Sequence, residues 1–118
     1  METLCKIRDI YRAIAEFEVQ FMQLYDLSLN EGMLLCTLVN RPKLTSGGIA
    51  EALGLTNSNA SKVIRSVEDK KLISRVVGKN DKRQMSFLLT TEGKIRITAI
   101  QTAVYDLPGM LQRIVSVV

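Results

Sequence analysis

The sequence predicts a mainly α-helical protein with one small β-hairpin, an α+β fold, in a single domain of 118 residues. Apolar residues recur at spacings of three and four over most of the chain, as in amphipathic helices. Residues 73–77 are instead β-branched and extended in character, and in residues 85–89 Met85, Phe87 and Leu89 alternate with Ser86 and Leu88. A polar connection that begins with glycine joins the two segments, as in a hairpin. A composition of 47% hydrophobic and 24% charged residues is typical of a folded globular protein.

The N-terminal segment predicts one long amphipathic helix, because charged residues separate its apolar positions. These apolar positions are Ile7, Ile10, Ile14, Phe17, Phe21 and Leu24. Ser28 and Glu31 then have the spacing of a capping box, so a second helix is expected to begin near Leu29. It should end before Pro42, since the residue before a proline avoids the helical region. We expect the second helix to bury Met33, Leu34, Thr37 and Leu38.

A helix-turn-helix is predicted next. Thr45 or Ser46 can cap a short third helix, and Gly54 suits the left-handed residue that closes it. Thr56 can cap a fourth helix, whose apolar stripe would face inward. Two short helices joined by a tight turn form a unit whose second helix can enter a groove. The inward stripe is Ala60, Val63, Ile64 and Val67, and the outward face is Ser58, Asn59, Ser61, Lys62 and Arg65.

The pattern becomes extended after Leu72. Residues 73–77 and 85–89 predict the two strands of a hairpin. Their connection, residues 78–84, is polar and basic and should project as a wing. Thr91-Glu92-Gly93 opens a last helical region with apolar residues at heptad spacing, which Pro108-Gly109 is expected to interrupt and kink.

The net charge of +4 is concentrated in one segment. Residues 57–96 hold ten Lys/Arg and four Asp/Glu, a charge of +6, whereas the remainder holds six and eight, a charge of −2. This local excess favours an anionic partner, although a solvated lysine-rich surface is a common alternative. The chain has no histidine, no phosphate-binding glycine loop and no nucleophile elbow. We therefore predict no enzyme activity, no metal site and no cofactor.

The cysteines and the N-terminus favour a cytoplasmic protein. Cys5 and Cys36 lie far apart and form no CxxC pair, so neither a disulfide framework nor a zinc knuckle is predicted. No apolar run approaches the roughly 18 residues that span a bilayer. The N-terminal METLCKIRDIYR is charged where a signal peptide would be apolar. We expect no membrane contact.

The order of these elements resembles the MarR family of bacterial winged-helix transcriptional regulators over nearly the whole chain. The segments LTSGGIAEALGLTNSNASKVIRSVEDKKLISR and GKNDKRQMSFLLTTEG carry the resemblance. The second is similar to the family's wing signature, Asp-x-Arg followed by an alternating strand and Leu-Thr-x-x-Gly. The resemblance implies a winged helix-turn-helix core at 28–90, with dimerisation helices at 1–27 and 91–118.

A homodimer on double-stranded DNA is the expected assembly. Two long apolar stripes flank the winged core and exceed what so small a core can cover, which favours a symmetric dimer. Such a dimer should recognise an inverted repeat with half-sites about 10 bp apart. By the resemblance we expect a repressor, although the residues themselves do not distinguish repression from activation.

The resemblance also implies roles for individual residues. The exposed side chains of the fourth helix would lie in the major groove, and Arg83 at the wing tip would reach the minor groove or its phosphates. Lys79 and Lys82 would neutralise phosphates, and Asp81 would orient the wing. A small aromatic effector is expected between the winged core and the dimerisation helices. The residues expected near that effector are Tyr11, Phe17 and Met33.

Several alternatives stay open. The basic hairpin can bind an acidic protein, which would make the winged helix a protein-interaction module. Cys5 is similar in position to the cysteine of the family's peroxide-sensing branch, whereas a free cysteine is more often a small apolar residue. Lys71 stands where the family usually has glycine, so the helix ends differently there or Lys71 adopts a left-handed conformation at a cost on the order of 1 kcal/mol. The chain also ends in a shorter last helix than is common in the family, which leaves the dimer geometry open.

Overall fold

The computed structural model describes residues 2–79, 84–103 and 107–117. Helices and one small sheet alternate along the chain, so the predicted mainly α fold with a hairpin is confirmed. No helix among the described residues is long and apolar enough to cross a membrane. The elements are α1 (Glu2–Tyr25), α2 (Leu29–Asn40), β1 (Leu44–Thr45), α3 (Ser46–Leu53), α4 (Asn57–Asp69), β2 (Ile73–Val77), β3 (Met85–Leu89), α5 (Thr91–Thr102) and α6 (Gly109–Val117).

The chain divides into two compact units. In one unit, α1 and α6 pack against each other. The buried Phe21 ring lies between its helical neighbours Phe17 and Tyr25, with centroid distances of 6.0 and 5.0 Å. Large apolar side chains of α1 and α6 are nevertheless exposed in the single chain: Leu4, Ile7, Tyr11, Ile14, Val19, Met22, Leu24, Ile114, Val115 and Val117.

The second unit, Asn30–Ala103, contains the helix-turn-helix, the sheet and α5, and is called the winged unit below. Its antiparallel sheet has the order β1-β3-β2, so β3 is the central strand. Phe87 of β3 is buried and pairs in register with Leu44 on one side and Arg75 on the other. β1 was not predicted from the sequence, because a strand of two residues carries no periodic pattern. The division of 1–118 into a core and flanking dimerisation segments stays a prediction, and α5 lies in the same unit as the wing.

The inward face of α2 differs from the predicted one. Leu34 and Leu38 are buried as expected, but Met33 is 50% exposed and Leu35 is buried in its place. Glu31 also belongs to this buried stripe, at 5% exposure. Since the middle of α2 is apolar on every side, the sequence pattern did not distinguish between two helical faces.

The last helical region is interrupted earlier than predicted. α5 ends at Thr102, and Ala103 already has an extended backbone (φ −72°, ψ 147°), before Pro108 is reached. Thr98 and Thr102 are weak helix formers, and each hydroxyl donates to a carbonyl of the preceding turn, at 2.8 and 2.9 Å. Such side-chain bonds slightly destabilise a helix, so the threonines favour an end at this position over a continued helix.

A tight corner joins α4, the hairpin and α5. Lys71 adopts a left-handed conformation with φ 63°, so the strained alternative, and not a different helix end, is the one that the structure contains. Thr90 caps α5 by accepting the Gly93 N–H at 3.0 Å and donates its hydroxyl to the Lys71 carbonyl at 2.8 Å. Gly93 packs so closely on the Leu72 carbonyl that a Cβ there would lie 2.0 Å from its oxygen. These contacts give the Leu-Thr-x-x-Gly signature a physical basis.

Candidate nucleic-acid interface

The turn between α3 and α4 is fixed by local hydrogen bonds. Thr45 accepts the Gly48 N–H at 3.1 Å and caps α3. At the other end, Gly54 has φ 66°, its N–H bonds to Glu51 O at 3.2 Å, and the following Leu55 N–H bonds to Ala50 O at 2.9 Å. This is a Schellman motif, which closes a helix with a left-handed residue.

The start of α4 is fixed by a side-chain cap, and one face of the helix is exposed. The Thr56 hydroxyl accepts the Asn59 N–H at 3.1 Å, which confirms the predicted cap. Ala60, Ile64 and Val67 are buried, so the opposite face of α4 is turned to solvent. Every residue predicted for that outward face is exposed: Ser58, Asn59, Ser61, Lys62 and Arg65. Short side chains near the start of α4 leave its backbone accessible to close approach by a partner.

A buried carboxylate holds the C-terminal half of α4. Glu31 of α2 accepts a hydrogen bond from the Ser66 hydroxyl at 2.8 Å. Its oxygens also lie 3.1 and 3.2 Å from Lys70 Nζ. The charged carboxylate is therefore paired as well as hydrogen-bonded, as burial requires. The spacing of Ser28 and Glu31 predicted a capping box, and the contacts of Glu31 with α4 were not predicted from the sequence.

The hairpin stands next to α4 as the predicted wing. The Gly78 N–H donates to the Gln84 carbonyl at 2.7 Å across the base of the connection. Lys79, at the start of the connection, is exposed. Three residues assigned to the wing tip, Asp81, Lys82 and Arg83, lie outside the described residues.

Positive charges on this unit differ in whether they are paired. Arg75 and Lys70 form ion pairs with Glu68 and Glu31. Within the part of the chain that the structure describes, Lys62 and Arg65 form no ion pair. These two cations on the exposed face of α4 are free to attract an anion, and the serines and asparagine around them can donate or accept hydrogen bonds.

A cleft of about 340 Å³ separates α4 from the sheet. Arg65 and Arg75 lie on it from the helix and from β2, and Thr45, Ser46 and Gln84 add hydroxyl and amide groups. Arg65 was predicted from the sequence as a site residue, as was Ser61, which also lines the cleft. The opposite charge of Glu68, seven residues earlier, was the one sequence signal for Arg75. Because a helix end and a turn lie between the two residues, that spacing did not predict a contact.

The other predicted site residues are distributed over both units. Tyr11 and Phe17 belong to α1, at 75% exposure and half-buried respectively, and Met33 belongs to α2 in the second unit. The effector pocket stays a prediction from the resemblance. Cys5 is exposed, and the adjacent Lys6 pairs with Glu2 at 3.3 Å. Peroxide sensing at Cys5 likewise stays a prediction.

Comparison with known proteins extends the resemblance. A sequence model of the MarR family matches residues 27–85. The crystal structure of Staphylococcus aureus MepR in its DNA-binding conformation superposes with a TM-score of 0.76 and 30% identity, covering 98% of this chain and 84% of MepR. A MepR–DNA complex from the same organism gives a TM-score of 0.66 and 31% identity over 81% of this chain and 79% of that chain. No curated protein matches the sequence.

Another MepR structure is described as a transcription regulator of the Staphylococcus aureus multidrug efflux pump MepA. It has a TM-score of 0.72 and 27% identity, and the match covers 100% of this chain and 84% of that chain. The similarity therefore includes the helices on either side of the helix-turn-helix as well as the wing.

Proposed function

This chain belongs to the MarR family, and from that premise we propose that it is a sequence-specific DNA-binding transcriptional regulator. The observation that carries the proposal is the exposed face of α4. It combines Lys62 and Arg65, two cations that form no ion pair with any residue the structure describes, with short hydrogen-bonding side chains. The existence of a DNA complex of the related MepR supports this choice of partner.

The two kinds of side chain on α4 suit different parts of DNA. Lys and Arg attract phosphates at long range and irrespective of sequence. Ser and Asn act only at contact, where their hydroxyl and amide groups meet base edges in the major groove. The Thr56 cap and the Glu31 contacts hold both ends of α4, which limits the entropy lost when the helix docks. We propose that α4 recognises the sequence and that the wing contacts phosphates, as the family resemblance implies, through Lys79, Lys82 and Arg83.

We propose a homodimer as the DNA-binding form. Many large apolar side chains are exposed on α1 and α6 in the single chain, and apolar surface that accumulates on neighbouring helices is typical of an interface. A two-fold dimer would present two copies of α4 to an inverted repeat whose half-sites lie about 10 bp apart. An effector pocket near Tyr11, Phe17 and Met33 is proposed by analogy with the family. It predicts that small aromatic acids raise the melting temperature and change DNA affinity.

The decisive experiment compares two variants on a selected DNA site and on a scrambled duplex over a range of salt concentrations. Arg83→Ala should weaken binding to both duplexes and lower the salt slope by about one unit, since it removes one phosphate contact. The double variant Asn59→Ala/Ser61→Ala keeps every charge. It should leave non-specific binding nearly unchanged and cost roughly 1–3 kcal/mol of discrimination at the contacted base pairs.

The outcome also tests the alternative in which the winged unit binds an acidic protein. A protein-interaction module would show no selected DNA site, and its retention on heparin would not be matched by retention on DNA. Unchanged affinities in Arg83→Ala for both duplexes would refute the assigned role of the wing. They would favour the interaction module.

A further inference from the structure

One guanidinium group joins three elements of the second unit. Arg75 of β2 donates from Nε to Glu68 Oε2 at 2.7 Å and from Nη2 to Glu68 Oε1 at 2.9 Å, and Glu68 lies in the last turn of α4. On its other side, Arg75 Cζ lies 5.6 Å from the centroid of the Phe87 ring in β3. Arg75 Nη1 lies 3.5 Å from the Met85 sulfur in the same strand. Arg75 therefore connects α4 with both strands of the wing.

The geometry of the Glu68–Arg75 contact fixes the orientation of the two side chains more than it stabilises the fold. Two parallel N–H···O bonds between planar groups define an angle as well as a distance, which a single bond from lysine would not. Phe87, at 4% exposure, gives the guanidinium a fixed platform. The side chains of Arg75 and Glu68 are 49% and 20% exposed, and partly exposed ion pairs add little to the free energy of unfolding. The hydrogen bond to Glu68, and then its charge, raises the pKa of Arg75 above its ordinary value. An arginine side chain is charged at physiological pH in any case.

We propose that the Glu68–Arg75 pair is a positioning device that sets the angle between the wing and the recognition helix α4, on which sequence-specific DNA binding depends. This inference rests on the proposed function in DNA binding. Arg75 and Glu68 act here through α4 and the hairpin, as positioning residues that determine specificity.

The physical reason is that recognition requires two contacts at once. Base readout by α4 and groove or phosphate contact by the wing are made together only when the two surfaces have the correct separation. Non-specific attraction between cations and phosphates imposes no such requirement, because it is long-ranged and tolerates many orientations. Loss of the pair should therefore lower affinity for a selected site and leave affinity for a scrambled duplex almost unchanged.

Glu68→Gln gives a test in which a charge effect and a positioning role predict opposite changes in affinity for the selected site. The substitution removes one negative charge near the proposed interface, so charge alone would raise affinity for every DNA. The matched control is Asp69→Asn, one residue further along the chain. Asp69 is exposed and forms no ion pair within residues 2–79, 84–103 and 107–117. We expect Glu68→Gln to reduce the ratio of specific to scrambled affinity by at least about fivefold, the lower end of measured coupling between sites. Asp69→Asn should keep the ratio of the unmodified protein.

Arg75→Lys separates positioning from direct contact with DNA. The variant keeps the positive charge and removes the bidentate geometry, so positioning predicts the same loss of ratio as in Glu68→Gln. The double variant should be no worse than either single one, because both remove the same interaction. If Arg75 instead contacted a phosphate directly, Arg75→Lys would retain the ratio while Glu68→Gln would tighten binding to both duplexes. That result would overturn the proposal.

Different results would contradict the positioning role of the Glu68–Arg75 pair and the proposed function in DNA binding. DNA affinities are measured below the melting temperature of each variant, so that every variant is folded during the measurement. A variant that has a lower melting temperature but an unchanged ratio of specific to scrambled affinity counts against the positioning role. If the unmodified protein binds a selected site and Glu68→Gln behaves like Asp69→Asn, the positioning role is wrong and the proposed function stands. If the unmodified protein shows no selective DNA binding, the proposed function is wrong and the positioning role with it.

Discussion

Replacing Gly93 by alanine should destabilise the protein through a backbone clash at the corner between α4, the wing and α5. An alanine Cβ would lie 2.0 Å from the Leu72 carbonyl oxygen, 3.0 Å from its carbon and 3.3 Å from Leu89 Cδ2. Because the closest atom belongs to the backbone, the change of a side-chain rotamer does not relieve the clash. The first turn of α5 and the corner must move apart.

The magnitude follows from three contributions. Overpacking of a well-filled site costs about 1–3 kcal/mol. The Leu72 oxygen also accepts the Thr90 N–H at 3.0 Å, and displacement that weakens this bond costs about 1 kcal/mol more. Alanine returns about 1 kcal/mol through its higher helix propensity. We expect a net loss of about 2 kcal/mol in the free energy of unfolding, which lowers Tm by about 6–10 °C for a chain of this length.

Urea and thermal unfolding followed by circular dichroism measure this loss. Gly47→Ala is the matched control, because Gly47 is also a helical glycine of the second unit. Apart from its chain neighbours and the backbone of its own helix, no described atom lies within 4 Å of an added Cβ. It should be as stable as the unmodified protein or more stable by up to about 1 kcal/mol. Equal stability of Gly93→Ala and Gly47→Ala would refute the argument, since the two variants would then differ in clash without differing in free energy.

The remaining predictions concern backbone strain and assembly. Lys71→Gly should stabilise the protein by about 0.5–1 kcal/mol, because glycine adopts the left-handed conformation (φ 63°) without steric cost, whereas Lys71→Ala keeps the strain and should not; urea unfolding of both variants decides this. Ile14→Asp places a charge on the exposed apolar surface of α1, where Ile14 is 44% exposed, and should produce a folded monomer that loses specific DNA binding. Gln23→Asp, which adds the same charge at an exposed polar position of α1, should remain dimeric in light scattering; a dimeric Ile14→Asp would contradict the proposed interface.

The sequence determined the parts of the candidate site that depend on short-range chemistry. Caps were assigned to Thr45 or Ser46, to Gly54 and to Thr56, because the groups that a cap satisfies lie within a few residues along the chain. The structure has Thr45, Gly54 and Thr56 in these roles. The outward face of α4 followed from helical periodicity, since its apolar and polar residues separate onto opposite sides. Where the residues are apolar on all sides, as in the middle of α2, periodicity carried no information, and the choice between Met33 and Leu35 belonged to the surrounding structure.

Only the tertiary structure decided the contacts that hold these elements in place. Glu31 meets Ser66 and Lys70 across separations of 35 and 39 residues. Arg75 reaches Glu68 around a left-handed corner and lies against a ring from a different strand. β1 exists because β3 offers it unpaired backbone groups, and two residues in isolation have no strand pattern. The sequence thus determined where each helix of the interface begins and which side it exposes, because those choices are made between neighbours along the chain. The packing of the whole winged unit brings Glu31 and Arg75 to their partners. The sequence pattern next to Glu31 or Arg75 therefore does not predict which residues they contact.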